Sequence, residues 1–381
     1  MPKYKFSEIA YNINQKKIPE PSEEKMYIGL EHLDSGSLKV RRWGSDVPIT
    51  GEKLVMKKGD ILFGRRNTYL RRASIAPHDG IFSAHGMIFR PNTEVIDPDY
   101  FPFFISSDYF MNAAIRISVG SLSPTVNWKT LKELEFDIPD LDSQRKSAEL
   151  LTAANKLKES YEVLLEQTDQ LVKSQFIERF GTYSNTSFPV KTLEELCEPI
   201  KDGTHQTPTY TDDKENGYLF LSSKDVTSRY VDWEHPMYIP PELHEQLYKR
   251  ISPKKGDILL AKNGTTGIAA IVDRDEIFDI YVSLALLRPR DGIDVKYLWQ
   301  AINMPETKTQ FDARLKGIGV PNLHLGEIKK AKIVVPPIEM QMKFAMFLEQ
   351  SDKSKFITSN RNLSSCLEVL KIINTDCLSC L

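Results

Sequence analysis

The sequence predicts an α+β protein built from two homologous halves, and three observations carry that prediction. The hexapeptide Lys57-Lys-Gly-Asp-Ile-Leu62 recurs as Lys254-Lys-Gly-Asp-Ile-Leu259, an offset of 197 residues. The same offset lays residues 138–146 (IPDLDSQRK) over 335–343 (VPPIEMQMK), pairing Pro139 with Pro336, Gln144 with Gln341 and Lys146 with Lys343. Each half then closes with a stretch free of proline and glycine, from Asp142 to Phe180 and from Ile338 to Leu381. A period of half the chain means duplicated domains, because solenoid repeats span only about 20 to 50 residues.

In chain order, the pattern predicts a globular domain over 1–140, a long helix over 141–181, a second globular domain over 188–336 and a second long helix over 337–381. Within the domains, short β-rich runs such as Asp60-Ile-Leu-Phe63, Gly80-Ile-Phe-Ser83, Asp257-Ile-Leu-Leu-Ala261 and the apolar run from Ile280 to Leu287 are separated by Gly, Pro, Asn and Asp turns. A helix follows in each, expected over 100–117 and 296–315. Along the first long helix Leu150, Ala154, Leu157, Tyr161, Leu164, Thr168 and Leu171 step by four and three. That is the 3.5-residue period of a coiled-coil seam. At 1.5 Å per residue this helix spans about 58 Å; Gly181 ends it. A second seam runs through Phe356, Ser359, Leu363, Cys366, Leu370, Ile373, Cys377 and Cys380. Both stretches exceed the roughly 10 to 14 residues of an ordinary globular helix, so an antiparallel coiled coil is expected, with the domains at its two ends related by a pseudo-twofold axis.

Composition excludes several function classes. Fifty Lys and Arg stand against 52 Asp and Glu, a net charge of −2. Between Leu38 and Arg72, however, basic residues at 39, 41, 42, 53, 57, 58, 65, 66, 71 and 72 face acids only at 46, 52 and 60, so a basic face is expected there. The first residues hold no apolar leader and no run approaches the ~18 apolar residues of a membrane span; the expected location is the cytoplasm. The four cysteines are scattered, and the Cys377/Cys380 pair reads as small residues on the seam, since a structural zinc site takes four ligands. Nothing matches a phosphate-binding G-x-x-x-x-G-K-[ST] loop, an N-P-P-[YF] methyltransferase signature or a glycine-rich Rossmann turn. Glu327-Ile-Lys329 fits a nuclease fragment, yet it has no carboxylate partner to hold a metal and the first copy carries Thr130 and Lys132 instead.

The order domain, helix, domain, helix, with Pro139…Gln144 and Pro336…Gln341 opening the helices, resembles the specificity subunit of type I restriction-modification systems. The approach from Gly319 to Lys330 (GVPNLHLGEIKK), its looser partner from Ser121 to Lys132 (SLSPTVNWKTLK), and Asp202-Gly-Thr-His-Gln-Thr-Pro208 add to the resemblance. It implies a non-catalytic DNA-reading scaffold. Each globular domain would be a target-recognition domain for one half of a split, asymmetric double-stranded DNA target, and the helix pair would set the gap and dock two methyltransferase subunits. No cofactor would belong to this chain: S-adenosylmethionine would serve the methyltransferase, and ATP and magnesium a restriction subunit that joins the core. A stand-alone duplicated DNA-binding protein and a nuclease with built-in recognition remain the alternatives.

The reading residues are sought on turns leaving strands, because Lys and Arg hold phosphates while Arg reads guanine and Asn or Gln reads adenine. Arg41, Arg42, Arg65, Arg66, Asn67, Arg71 and Arg72 supply that inventory in the first domain, and Lys262, Asn263 and Thr265 in the second. Thr204, His205, Gln206 and Thr207 form a second candidate turn. Tyr69, Tyr210 and Trp43 could stack or pack, with core packing expected for the tryptophan.

Overall fold

The computed structural model describes residues 1–315 and 321–358. The chain forms two compact units, one from Met1 to Glu162 and the other from Val163 to Ile357. The boundary falls inside a single helix, Leu141–Phe180, so this central helix gives its first half to one unit and its second half to the other.

In the first unit Lys3–Lys5 pairs antiparallel with Glu135–Asp137, which brings the domain's two ends together. A four-stranded antiparallel sheet follows in the order Ala10–Asn12, Met87–Pro91, Ile61–Phe63, Ala73–Ile75. Alternate side chains of a strand point to opposite faces. Ile61 and Phe63 therefore join an aromatic core with Phe6, Phe89, Phe110 and Phe136, while Leu62 joins Ile28, Leu54, Phe82 and Ile88 on the other side. That second core lies against a smaller sheet ordered Lys16–Lys17, Lys53–Met56, Gly80–Phe82, Tyr27–Ile28.

The second unit repeats the larger sheet strand for strand: Lys201–Asp202, Leu284–Leu287, Ile258–Ala261, Ala269–Ile271. Val190–Thr192 pairs with Lys332–Val334 as its end-joining strands. The smaller sheet is rewritten, with the order Met237–Ile239, Tyr218–Leu221, Phe278–Ile280. Divergence between the copies is thus marked in the smaller sheet.

The repeated hexapeptide has a structural explanation. Gly59 and Gly256 turn the chain at φ 89° and 90°, and the aspartates after them, both buried, accept the backbone N–H of Lys57 and Lys254. Each aspartate also holds an arginine through two bonds, Asp60 to Arg90 on the neighbouring strand and Asp257 to Arg288 just past the end of its neighbouring strand. Charge-assisted pairs of this fork geometry are strong, so Gly-Asp pins the turn to the sheet.

Two other repeated residues fix where each long helix starts. Gln144 is fully buried; its Nε2 donates to the carbonyls of Val95 (3.0 Å) and Pro139 (2.8 Å), and its Oε1 accepts from Asp97 N (2.7 Å). Gln341 makes the same three bonds with Gly292, Pro336 and Asp294, every partner displaced by 197 residues.

The helices expected over 100–117 and 296–315 are each broken in two. Phe101–Ser106 and Asp108–Arg116 are divided by Ser107, whose extended backbone lets its Oγ accept from Phe110 N as a cap. Val295–Ile302 and Pro305–Asp312 are divided at Met304, held extended by the proline after it.

The central helix spans Leu141–Phe180, and its seam positions differ in burial. Ala148, Leu151 and Ala154 are buried in the first unit and Val172, Phe176 and Phe180 in the second. Leu150, Leu157, Leu164 and Leu171, seven residues apart, are each about half exposed, and Tyr161 is partly buried. Phe176 and Phe180 pack edge-on against Phe344 of the C-terminal helix, Ile338–Thr358, so the end of one helix meets the start of the other. Phe356 falls on that helix; Leu363, Leu370 and the seam cysteines lie outside the described residues.

Candidate DNA interface

The loops that leave strands Ile61–Phe63 and Ile258–Ala261 share one backbone. Val126 N donates to Arg65 O at 2.9 Å, and Leu323 N to Lys262 O at 2.7 Å. Asn67 N donates to Pro124 O, and Gly264 N to Pro321 O. Isolated bridges join Arg66 to Thr125 and Asn263 to Asn322. Left-handed residues mark the same two points of each turn: Asn67 (φ 53°) and Arg71 (50°) in the first copy, Gly264 (73°) and Gly267 (79°) in the second. The second copy uses the residue that adopts this conformation without steric cost, whereas the first places side chains there in spite of it.

The side chains differ far more than the backbone. In the first unit four of the ten residues of the expected basic face, Lys39, Arg41, Arg42 and Arg71, pair with acids. Arg41 pairs with Glu162 on the central helix, beside a Lys39–Glu159 pair. Arg42 donates to Glu31 O and pairs with Asp34. Arg71 binds Asp108 at 2.6 Å and Asn112, and Arg72 donates to Leu30 O. Each of these four arginines thus has a partner within its own unit. Arg65 and Arg66 remain. Among the described residues neither meets a carboxylate; Arg66 touches only Ser123 Oγ at 3.3 Å, and Arg65 Nε and Asn67 Oδ1 are buried with no hydrogen-bond partner.

In the second unit Lys262 is likewise paired. Its ammonium lies 2.7 Å from Asp202 Oδ2, both side chains being only 7% exposed. Asp202 also takes Arg250 at 3.3 Å and His205 Nε2 at 3.3 Å. Burial pushes the Asp202 carboxyl up, but the bond and charge of Lys262 and then those of His205 outweigh it and hold it below the usual carboxylate range. Asp202 thereby fastens the two candidate turns together. Gly203 sits against strand Phe278–Ile280 so closely that a Cβ would fall 1.9 Å from Ile280 O, and Thr204 is buried as its backbone bonds to Ile280 and Val282. Beyond this anchored base, His205, Gln206 and Thr207 project as exposed side chains, as does Thr265 on the neighbouring turn. Asn263 is partly buried, and its Oδ1, like that of Asn322, has no partner. Trp43, expected in the core, is 46% exposed and rests edge-on against His78; Tyr69 and Tyr210 are also exposed.

Sequence reasoning missed Asp202, Arg250 and Asn322. Asp202 stands in the quoted motif, and a lone aspartate before a glycine turn was its only signal. Among the described residues no group of three His, Cys, Asp or Glu could hold a metal ion, and no helix is long and apolar enough to cross a membrane.

The sequence profile of the type I restriction modification DNA specificity domain matches this chain twice, over residues 3–167 and 185–368. The chain belongs to the type I restriction-modification specificity subunit family. This specificity subunit is similar to the type I restriction enzyme MjaVIII specificity subunit of Methanocaldococcus jannaschii, at 22% identity over 86% of this chain and 79% of that one. It is 29% identical to the EcoBI specificity subunit of Escherichia coli over 36% of this chain and 29% of the relative. Among solved structures, the type I restriction-modification S subunit from M. genitalium aligns with a TM-score of 0.53 at 14% identity, covering 98% of this chain and 94% of that one. A chain solved in work on complex assembly and conformational transition of the type I R-M system aligns at 0.52 and 17% identity, covering 98% and 95%. These likenesses support the fold. The two profile matches make the two α+β units a pair of target-recognition domains.

Proposed function

We propose that this specificity subunit reads a split, asymmetric DNA target, one half with each domain, and performs no chemistry itself. The observation that carries the reading is the pair of loops after Ile61–Phe63 and Ile258–Ala261. Their backbone hydrogen bonds coincide at the repeat offset, while Arg65, Arg66 and Asn67 in one face Lys262, Asn263 and Gly264 in the other. A retained scaffold with rewritten side chains suits two different half-sites, since phosphate contacts position a protein and base contacts specify sequence. Arg65, Arg66, Asn67, Asn263, Thr265, His205, Gln206 and Thr207 are the proposed DNA-contacting residues, with Lys262 and Thr204 behind them as supports.

The long helices would pair, bury the leucine stripe of residues 150, 157, 164 and 171, and set the number of unread base pairs between the half-sites. Two methyltransferase subunits would dock on this core and methylate adenine with S-adenosylmethionine. A restriction subunit would join with ATP and magnesium, and the complex would work in the cytoplasm. Single-molecule sequencing of DNA from a methylation-free host tests this, with the chain expressed alone, with its neighbouring methyltransferase gene, and with that gene alone present. Methyladenine at one split motif, only when both genes are present, is the expected result. No modified motif in any strain would overturn it, and magnesium-dependent cleavage by the purified chain would favour a nuclease.

A further inference from the structure

The two reading loops handle the same cation in opposite ways. Equivalent backbone bonds put Arg65 and Lys262 at one position of the duplicated fold. In the second unit Asp202, on the strand that pairs Lys201 with Leu286, reaches across and neutralises the lysine. In the first unit the strand register places Asn12 opposite Phe89, and Ile13 N bonds Ile88 O. Because Ile61 opposes Phe89 where Ile258 opposes Leu287, the position equivalent to Asp202 is Asn14, a neutral residue. Arg65 accordingly has no carboxylate among the described residues, and Arg66, next to it, has none either. One guanidinium N–H of Arg65 is buried without an acceptor. Buried donors in native proteins are nearly always satisfied.

We propose that Arg65 and Arg66 form a charged DNA anchor belonging to the first domain alone, closing on a two-acceptor edge supplied by guanine O6 and N7 or by a phosphate. The second domain, its cation quenched by Asp202, reads with neutral side chains from Asn263, Thr265, Gln206 and Thr207. This rests on the DNA-specificity reading and adds an asymmetry to it: the salt dependence contributed by the reading loops comes from the first half-site. Asn67 and Arg71 set the loops apart in a second way, since the first loop carries side chains at two left-handed positions that are glycines in the second.

The test uses the purified complex with its methyltransferase, target-DNA anisotropy at several salt concentrations, and motif sequencing in the methylation-free host. Arg65→Ala and Arg66→Ala are each expected to weaken target binding at least tenfold. If the edge is a phosphate, each also lowers the slope of log affinity against log salt by about 0.9, with the motif unchanged. If it is guanine, the motif relaxes at one position of one half-site. Arg65→Lys separates charge from the planar fork: it keeps the slope in the phosphate case and loses the guanine in the other. The double variant Asp202→Asn/Lys262→Met is expected to leave the slope where it is. Unchanged affinity, slope and motif in the Arg65 and Arg66 variants would overturn the anchor. A slope that falls as far in the double variant as in Arg65→Ala would overturn the asymmetry. Should the wild-type complex methylate no motif and bind no DNA, the DNA-specificity reading itself fails, which is a separate outcome from these.

Discussion

Asp202 shows how one buried carboxylate sets the character of a loop. It gathers Lys262, Arg250 and His205 from three segments, and its carboxyl is held below the ordinary range because, against the cost of burial, the bond and charge of Lys262 and then those of His205 prevail. A carboxylate whose folded value is depressed stabilises the protein above its unfolded value of about 3.9 and loses that contribution as pH falls through the folded value. Removing one partner of such a buried pair costs about 3 kcal/mol. Asp202→Asn should therefore lower the urea midpoint of the second domain at pH 7, with the gap from wild type closing as pH drops below about 4. A gap that persists undiminished at pH 3 would show that the carboxylate charge is not what matters. The sequence displayed Asp202 and Lys262 plainly, but their pairing spans 60 residues, and no local pattern announces a partner at that distance.

At the scale of elements, the two glutamines are the strongest repeated feature. Each is buried, and each satisfies one backbone N–H and two carbonyls where a long helix leaves its domain. A buried polar group stripped of its partner costs about 1 to 3 kcal/mol. Gln144→Ala and Gln341→Ala should each destabilise their own unit by about 2 to 4 kcal/mol in urea unfolding, while Met342→Ala, on an exposed face of the same turn, should change stability by less than about 0.5 kcal/mol. Equal and small effects at all three positions would mean that these clamps carry no weight. The repeat made both glutamines visible as landmarks. Their partners at Asp97 and Asp294 became meaningful only once the chain was folded, since a hydrogen bond to a loop 47 residues away leaves no periodic trace.

For the molecule as a whole, the proposed ruler makes a geometric demand. Seven residues inserted into each long helix preserve the face of the leucine stripe and add about 10 Å, close to three base pairs at 3.4 Å each. Such a protein should methylate a motif with the same two half-sites and a gap wider by about three base pairs, read by genome-wide methylation sequencing. New bases in either half-site with an unchanged gap would refute the ruler. The duplication behind this prediction was legible from two short matches at one offset. The rewriting of the smaller sheet was not, because short strands of similar composition do not reveal which neighbour they pair with.

By itself the sequence determined the architecture: the offset of 197, the glycine-aspartate turns and the proline- and glycine-free stretches follow from local chemistry that acts within a few residues. Only the tertiary structure decided which charges are free. Ten basic residues between Leu38 and Arg72 looked like one face, yet Lys39, Arg41, Arg42 and Arg71 found acids and Lys53 and Arg72 carbonyls, while among the described residues the side chains of Lys57, Lys58, Arg65 and Arg66 pair with no carboxylate. The reason is physical: whether a cation is available to DNA depends on the carboxylate that folding brings within a few ångströms, and that distance is a property of the packed chain.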